Sequence, residues 1–385
     1  GYHGYWPISN IKPDHRFATP EELHLFLEDA HSNEQNVLLD YVANHVHELH
    51  PVYQKHPNWA TNKYTADGRL NTQLWDEERL TTWFDTFMPT LELRNDTVAD
   101  LMSDSALVWI TEYDFDGFRH DATKHIPMNF TRLLTQKIRA ASEDHVYQIG
   151  ETYGSDELIA SYVGSGKVDA QFNFNLYDAA FEAFTQEGAT FDRLRKALES
   201  SLTYYGHHHL MGNISGNQDK PRFSSMASGH LSMSEDSKLA GWTREIPEPT
   251  ERGYRKMAAM HAFNIAVPGI PILYYGDEIA LHGGNDPDNR KMMPFDFSPR
   301  QQQLFDRIAR LNENRTNIMA LNYGSTTIHQ PEPHLLIIVR KYMEQEVRFF
   351  FNNSNEDRYL EEWDIIVPAD GEIYQTRNCG QFNQD

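Results

Sequence analysis

Apolar positions along the chain recur with two spacings, one helical and one strand-like, and the two alternate. Thr19-Pro20-Glu21-Glu22 has the form of a capping box with Pro at the first helical position. Leu23, Phe26, Leu27 and Ala30 follow at helical spacing. The run NVLLDYVANH (36–45) reads as a buried strand that closes on polar residues. A helix is predicted over about 95–111 with Val98, Leu101, Met102 and Val108 inward, then a strand in FDGFRHDA (115–122). A helix near 128–142 and the strand VYQIGET (146–152) come next. VDAQFNFNL (168–176) predicts another strand, followed by one long helix to about residue 200. LMGNISGNQD (210–219), a helix over 252–266, IPILYYGDE (270–278) and the helical SPRQQQLFDRIARL (298–311) complete the series.

Such alternation is the pattern of a parallel α/β fold. The polar, chemically active residues fall at the C-terminal ends of the strands, where the active sites of (β/α)8 TIM barrels lie. Six βα units can be counted, so the expectation is a barrel whose first two units are missing from this sequence. The segment 46–89 is rich in His, Trp and Asn and has no clear period. A structureless loop of that length does not suit a compact domain, so a small inserted subdomain is expected. From about 320 the character changes, and HLLIIVRKY and VRFFFNNSN read as antiparallel strands. The expected division is barrel over 1–45, subdomain over 46–89, barrel over 90–317 and a C-terminal β-sandwich domain over 318–385.

Composition narrows the partners. Lys and Arg total 34 against 56 Asp and Glu, a formal charge of -22. A chain this acidic repels nucleic acid and anionic membranes, but not a neutral polysaccharide. The aromatic share of 12% suits sugar rings, although most aromatics belong to the core. Cys379 is the sole cysteine, so no intrachain disulfide can form. No apolar run is long enough to span a bilayer. No signal peptide is visible, but GYHGYWP is not a natural start, so that absence carries little weight. A secreted, periplasmic or cell-surface location is favoured over a cytoplasmic one, and the oligomeric state is left open.

Four segments carry the chemistry: DYVANH (40–45), GFRHDATKH (117–125), IGETY (149–153) and SGNQD (215–219). Arg119 lies two residues before Asp121, a spacing that puts both side chains on one face of a strand. A fixed cation beside a carboxylate lowers its pKa, so Asp121 is expected to be ionised. The bland reading of this pair is a structural ion pair.

With HGYW (3–6) and GGNDPDNR (283–290), these motifs stand in the order found in the α-amylase family, glycoside hydrolase family thirteen, which the chain resembles over nearly its whole length. The resemblance implies a retaining glycoside hydrolase that cleaves α-1,4-glucosidic bonds of starch-like glucans through a covalent glycosyl-enzyme. It makes Asp121 the nucleophile, Glu151 the general acid/base and Asp219 the third carboxylate. Glu151 then needs a raised pKa to donate a proton near neutrality. Tyr5 and His45 match groups that hold the sugar at the cleavage point. Lys124, His125 and Tyr153 match the leaving-group side, and Asp286 with Arg290 a clamp on the far end of the glucan. Asn217-Gln218-Asp219 departs from the family's usual Asn-His-Asp. Gln218 can donate a similar bond but carries no charge. The resemblance also implies a Ca²⁺ ion near Asn44, Glu92 and the backbone oxygen of His125, although Thr90 departs from the usual acidic segment.

His207, His208 and His209 are consecutive and cannot all face one ion from a regular element, so they read as a polar loop. Trp59, Trp75 and Trp83 suit either the substrate groove or the subdomain's own core. Two further functions stay open: a glucan transglycosylase or neopullulanase/cyclomaltodextrinase-like enzyme of the same family, and a non-catalytic glucan-binding relative.

Overall fold

A computed structural model describes residues 3–377 and the backbone of 383–384, so Cys379 lies outside the described residues. The chain divides into two compact units, Gly1–Phe172 and Asn173–Asp385.

In the first unit the helices are α1 (Pro20–Ser32), α2 (Pro51–Lys55), α3 (Asp96–Thr111), α4 (Met128–Ala141) and α5 (Asp156–Ser161). Its strands β1 (Leu38–Tyr41), β2 (Gly117–His120), β3 (Tyr147–Gly150) and β4 (Ala170–Gln171) form one parallel sheet in sequence order. The expected capping box starts α1: Glu22 N–H donates to Thr19 Oγ1 (3.2 Å), and Thr19 N–H to Glu22 Oε2 (2.8 Å). Burial in α1 falls on Leu27 and Ala30, with Leu23 packed at the core's edge. Leu101 of α3, expected inward, is exposed, as is Phe26 of α1, because each lies just off its helix's buried stripe. Val98, Met102, Trp109, Phe118, Phe130 and Leu134 close the core between these helices and the sheet. Gly117 allows the sheet to close up there, since a Cβ at this position would stand 2.1 Å from the Tyr147 carbonyl oxygen.

Residues 46–89 contain only α2, a short 3-10 turn and isolated bridges such as Ala60 with Leu91 and Thr72 with Trp83. Trp83 is buried and its indole N–H donates to the Thr61 carbonyl (3.1 Å), so it is the segment's own core. Trp59 stacks on His56 at 4.1 Å. Trp75 is more open and sets its edge against His125 at 5.5 Å.

The second unit begins with α6 (Phe174–Thr185) and α7 (Asp192–Tyr205), then β5 (Gly212–Ile214), α8 (Phe223–Ala227), α9 (Ser237–Thr243), α10 (Glu251–Ala266), β6 (Ile270–Ile272), α11 (Pro299–Asn317) and α12 (Met319–Tyr323). β5 and β6 pair in parallel, with Asn213 opposite Pro271. Two expectations fail here. The strand expected over 168–176 ends at Gln171, because Asn173 acts as an N-cap and Phe174, Leu176 and Tyr177 bury themselves as the first turn of a helix. The single long helix expected after it is two helices, broken where Gly188 takes φ +72°.

The chain closes with β7 (Ser325–Glu332), β8 (Leu335–Tyr342), β9 (Gln345–Asn352), β10 (Arg358–Leu360), β11 (Ile365–Val367), β12 (Gly371–Arg377) and β13 (Asn383–Gln384). β13-β12-β9-β8-β7 form an antiparallel sheet, and β10-β11 a two-stranded ribbon. Both faces of β8 and β9 are covered. Leu335, Ile337 and Phe350 pack with Leu360 and Val367, while Phe351 meets Phe184 of α6 and Phe263 of α10. That double burial explains the unbroken apolar runs in these strands. The C-terminal end of α10 is closed by two cations: buried Arg340 donates to Ala266 O (3.0 Å) and half-buried Arg315 to Ile265 O (3.1 Å).

Candidate active site

The parallel register of β1, β2 and β3 sets Asp40 opposite Arg119, and Arg119 opposite Ile149, so the strand ends that follow lie side by side. Asp121 stands one residue past β2 and Glu151 one past β3. Backbone hydrogen bonds continue the ladder: Asp121 N–H donates to Tyr41 O (3.0 Å) and Glu151 N–H to His120 O (3.0 Å). Ala122 then takes φ 51°, a left-handed conformation unusual for alanine. In that turn its N–H donates to Glu151 Oε2 (3.1 Å).

Arg119 is the hub. One guanidinium nitrogen donates to Asp121 Oδ1 (2.8 Å) and to Asp40 Oδ1 (2.8 Å); the other contacts Glu151 Oε2 (3.0 Å). The Tyr5 hydroxyl donates to Asp40 Oδ2 (2.6 Å), and its ring centroid lies 5.8 Å from the guanidinium. Tyr5, Arg119, Asp121 and Glu151 are thus brought together as expected. Asp40 belongs with them, although its motif in the sequence carries no sign of this role. Its pairing with Arg119 depends on interstrand register, which no local pattern reveals.

The electrostatics correct one expectation. Asp121 was expected to be lowered by Arg119. Its carboxyl is instead pushed well above the usual carboxylate range by burial, against the pull of Arg119, with Glu151 and Asp40 adding to the rise. One guanidinium shared among three carboxylates does not offset the burial of Asp121.

His45 is buried, its ring 4.2 Å from Phe84 and its Nε2 3.2 Å from the Tyr5 carbonyl. Burial lowers its pKa to about 4, so it is neutral. His125 is likewise lowered to about 4 by burial, with Nδ1 2.7 Å from the Arg79 carbonyl. Lys124, also buried, reaches out to Asp76 at 2.5 Å. Tyr153 is half-buried in the turn between β3 and α5.

In the second unit Asp219 follows β5 on an irregular loop, more than half exposed. Asn217 Oδ1 accepts from its N–H (2.9 Å), and Gln218 Nε2 lies 3.5 Å from its carboxylate. The expected pair of Asp286 and Arg290 is formed (2.9 Å), and Arg290 also contacts Asp219 Oδ1 (3.2 Å). Sequence reading missed Arg222, Asp277 and Asn289, which surround this loop.

Of the positions expected at calcium, Asn44 fits: its Oδ1 is buried and has no hydrogen-bond partner. Glu92 does not, because Arg94 engages its carboxylate (2.6 Å). Calcium takes about six to eight oxygens, and among the described residues no three His, Cys, Asp or Glu side chains gather for a metal. No step is derived through calcium. His207, His208 and His209 lie in the loop between α7 and β5, as expected. No helix among the described residues is long and apolar enough to cross a membrane.

Comparison with known proteins defines the class. The family model of the alpha-amylase catalytic domain matches residues 2–319. The chain belongs to the alpha-amylase family, a family of glycoside-hydrolase enzymes, and its fold is that family's TIM barrel with a C-terminal antiparallel sheet domain. It is 27% identical to a cyclomaltodextrinase of Geobacillus thermopakistaniensis (strain MAS1), over 92% of this chain and 57% of that protein. It is 25% identical to a cyclomaltodextrin glucanotransferase of Paenibacillus macerans, over 93% of this chain and 49% of that one. Among solved structures, the alpha-amylase of Geobacillus thermoleovorans complexed with acarbose aligns with a TM-score of 0.80 at 25% identity, covering 98% of this chain and 85% of the other. The chain spans about half the length of the first two of these relatives.

Proposed function

We propose that this chain carries the catalytic part of a retaining α-glucan hydrolase that cleaves α-1,4 bonds of starch-like polymers or maltooligosaccharides. The observation that carries the reading is the single guanidinium of Arg119 holding Asp121 and Glu151 at adjacent strand ends. Retaining chemistry needs one carboxylate to attack and one carboxyl to give a proton.

In the first step an Asp121 oxygen attacks the anomeric carbon. The bond to the leaving oxygen breaks, and Glu151 donates its proton to that oxygen. In the second step Glu151 takes a proton from water, whose oxygen attacks the same carbon and releases Asp121. Asp219 is assigned the third carboxylate, which holds sugar hydroxyls and favours the positive transition state. Tyr5, His45, Gln218 and the Asp286–Arg290 pair are assigned to glucan binding. Neutral His45 suits a ligand for a hydroxyl. Lys124, His125 and Tyr153 are assigned to the leaving-group side.

A second reading is favoured by the names of the relatives, a cyclomaltodextrinase and a cyclomaltodextrin glucanotransferase. In it, cyclic dextrins are opened, or a second sugar replaces water. One experiment separates the readings. Incubation with starch, pullulan and cyclodextrin, with products followed by NMR, is expected to give α-anomeric maltooligosaccharides first, fastest from starch. A β-anomer appearing first would remove the retaining mechanism, and a clear preference for cyclodextrin would favour the second reading.

The pH profile gives another test. Asp121 must be ionised to attack, and burial raises its pKa in the folded protein. Activity is therefore lost as pH falls through that raised value. The acid limb of kcat/KM is expected above the ordinary aspartate value of about 3.9. Arg119→Met removes the opposing cation and moves the limb higher still. A limb that stays put in the variant would contradict this electrostatic account.

A further inference from the structure

The loop that carries Asp219 is held from outside by one buried amide. Asn289 is fully buried, and its Nδ2 donates to the carbonyls of Gln218 (2.8 Å) and Lys220 (2.8 Å), the residues on either side of Asp219. Arg290 Nε donates to the same Gln218 carbonyl at 3.1 Å. Asn289 is anchored in turn. Its own carbonyl accepts from Arg222 Nε (2.9 Å), and Arg222 is 1% exposed and paired with Asp277 at 3.0 Å. The second Asp277 oxygen accepts from the Ser215 hydroxyl (2.6 Å), directly after β5.

A line of buried polar groups therefore runs from the end of β5, through Asp277, Arg222 and Asn289, back to both sides of Asp219. An exposed loop of this kind wanders unless its carbonyls are tied down. Within the buried line only Asn289 Oδ1 and Arg222 Nη2 lack a hydrogen-bond partner. Two short bonds from one amide to carbonyls flanking a single residue fix that residue's position more than the loop's general stability.

We propose that Asn289 is a positioning residue for Asp219 and adjacent Gln218, setting where the third carboxylate sits. This rests on the reading of Asp219 given above. Asn289→Ala is expected to lower kcat on maltooligosaccharides by about 10- to 100-fold, the cost of a misplacement near 1 Å. KM is expected to change much less, because transition-state stabilisation suffers most.

The test is a double-mutant cycle with Asp219→Asn on an activated aryl maltooligosaccharide, with melting temperatures taken alongside. If Asn289 acts through Asp219, Asn289→Ala changes kcat by less than about threefold once Asp219 is already Asn. Full, multiplicative losses in both backgrounds would overturn the proposal, as would an unchanged kcat in Asn289→Ala alone. Asn289→Ser, which retains a single donor, provides the same cycle if the alanine variant does not fold. Full activity in Asp219→Asn alone would instead overturn the role of Asp219 itself, a distinct result.

Discussion

Asp121→Asn is expected to abolish glucan hydrolysis, lowering kcat by about 10⁴-fold or more while the protein stays folded. That loss corresponds to about 5 kcal/mol of transition-state stabilisation. The amide is nearly the same size as the carboxylate and can still meet the Arg119 guanidinium through its oxygen, so the packing around it survives. It cannot form the glycosyl ester, because an amide is a far weaker nucleophile. Asn also removes a buried negative charge next to Glu151 and Asp40, which eases their mutual repulsion. The melting temperature is therefore expected to hold or rise. Initial rates on starch and a thermal melt on the same preparation check both halves. Activity above a few per cent of wild type, from protein free of revertant, would take the nucleophile's role away from Asp121.

Glu151→Gln has the second largest expected effect, and its pattern differs. General acid–base catalysis contributes about 10²- to 10⁴-fold, so hydrolysis of an unactivated maltooligosaccharide should fall by that much. A glycosyl fluoride needs no proton on departure, so its first step should be nearly spared. The second step still lacks a base to activate water, and the glycosyl-enzyme should accumulate as a burst. Azide, which needs no deprotonation, should restore turnover and yield the α-glycosyl azide. Equal losses on both substrates, without azide rescue, would contradict the acid/base role.

The part of the fold that could be read from the chain was the part governed by local periodicity. The helix at Pro20–Ser32 announced itself by its capping box, and the strands by apolar runs that end in polar residues. The strand ends before Asp121 and Glu151 were legible for the same reason, whereas the roles of the two residues came from the resemblance to the α-amylase family. What depends on packing between distant segments was not. Asp40 joins the carboxylate cluster through its register opposite Arg119. Asn289 reaches back about seventy positions to Gln218. The rise of Asp121 is a burial effect, whereas its neighbour in sequence, Arg119, argued for the opposite sign. The helix break near Gly188 was hidden because Leu194 and Leu198 resume a helical stripe soon after it.

Arg119 links these observations. It binds Asp40, Asp121 and Glu151, so a mutation at one should be felt at the others. The active-site charge balance should therefore be read from the cluster as a whole.

The central claim is that an oxygen of Asp121 becomes covalently bonded to the sugar. Incubation with a fluorinated glycosyl fluoride, which slows the second step, followed by proteolysis and peptide mass spectrometry, tests it directly. The account predicts one added fluorosugar mass on the peptide that contains Asp121, absent in Asp121→Asn. A label on another carboxylate, or turnover of the reagent with no labelled peptide and an inverted product, would contradict it.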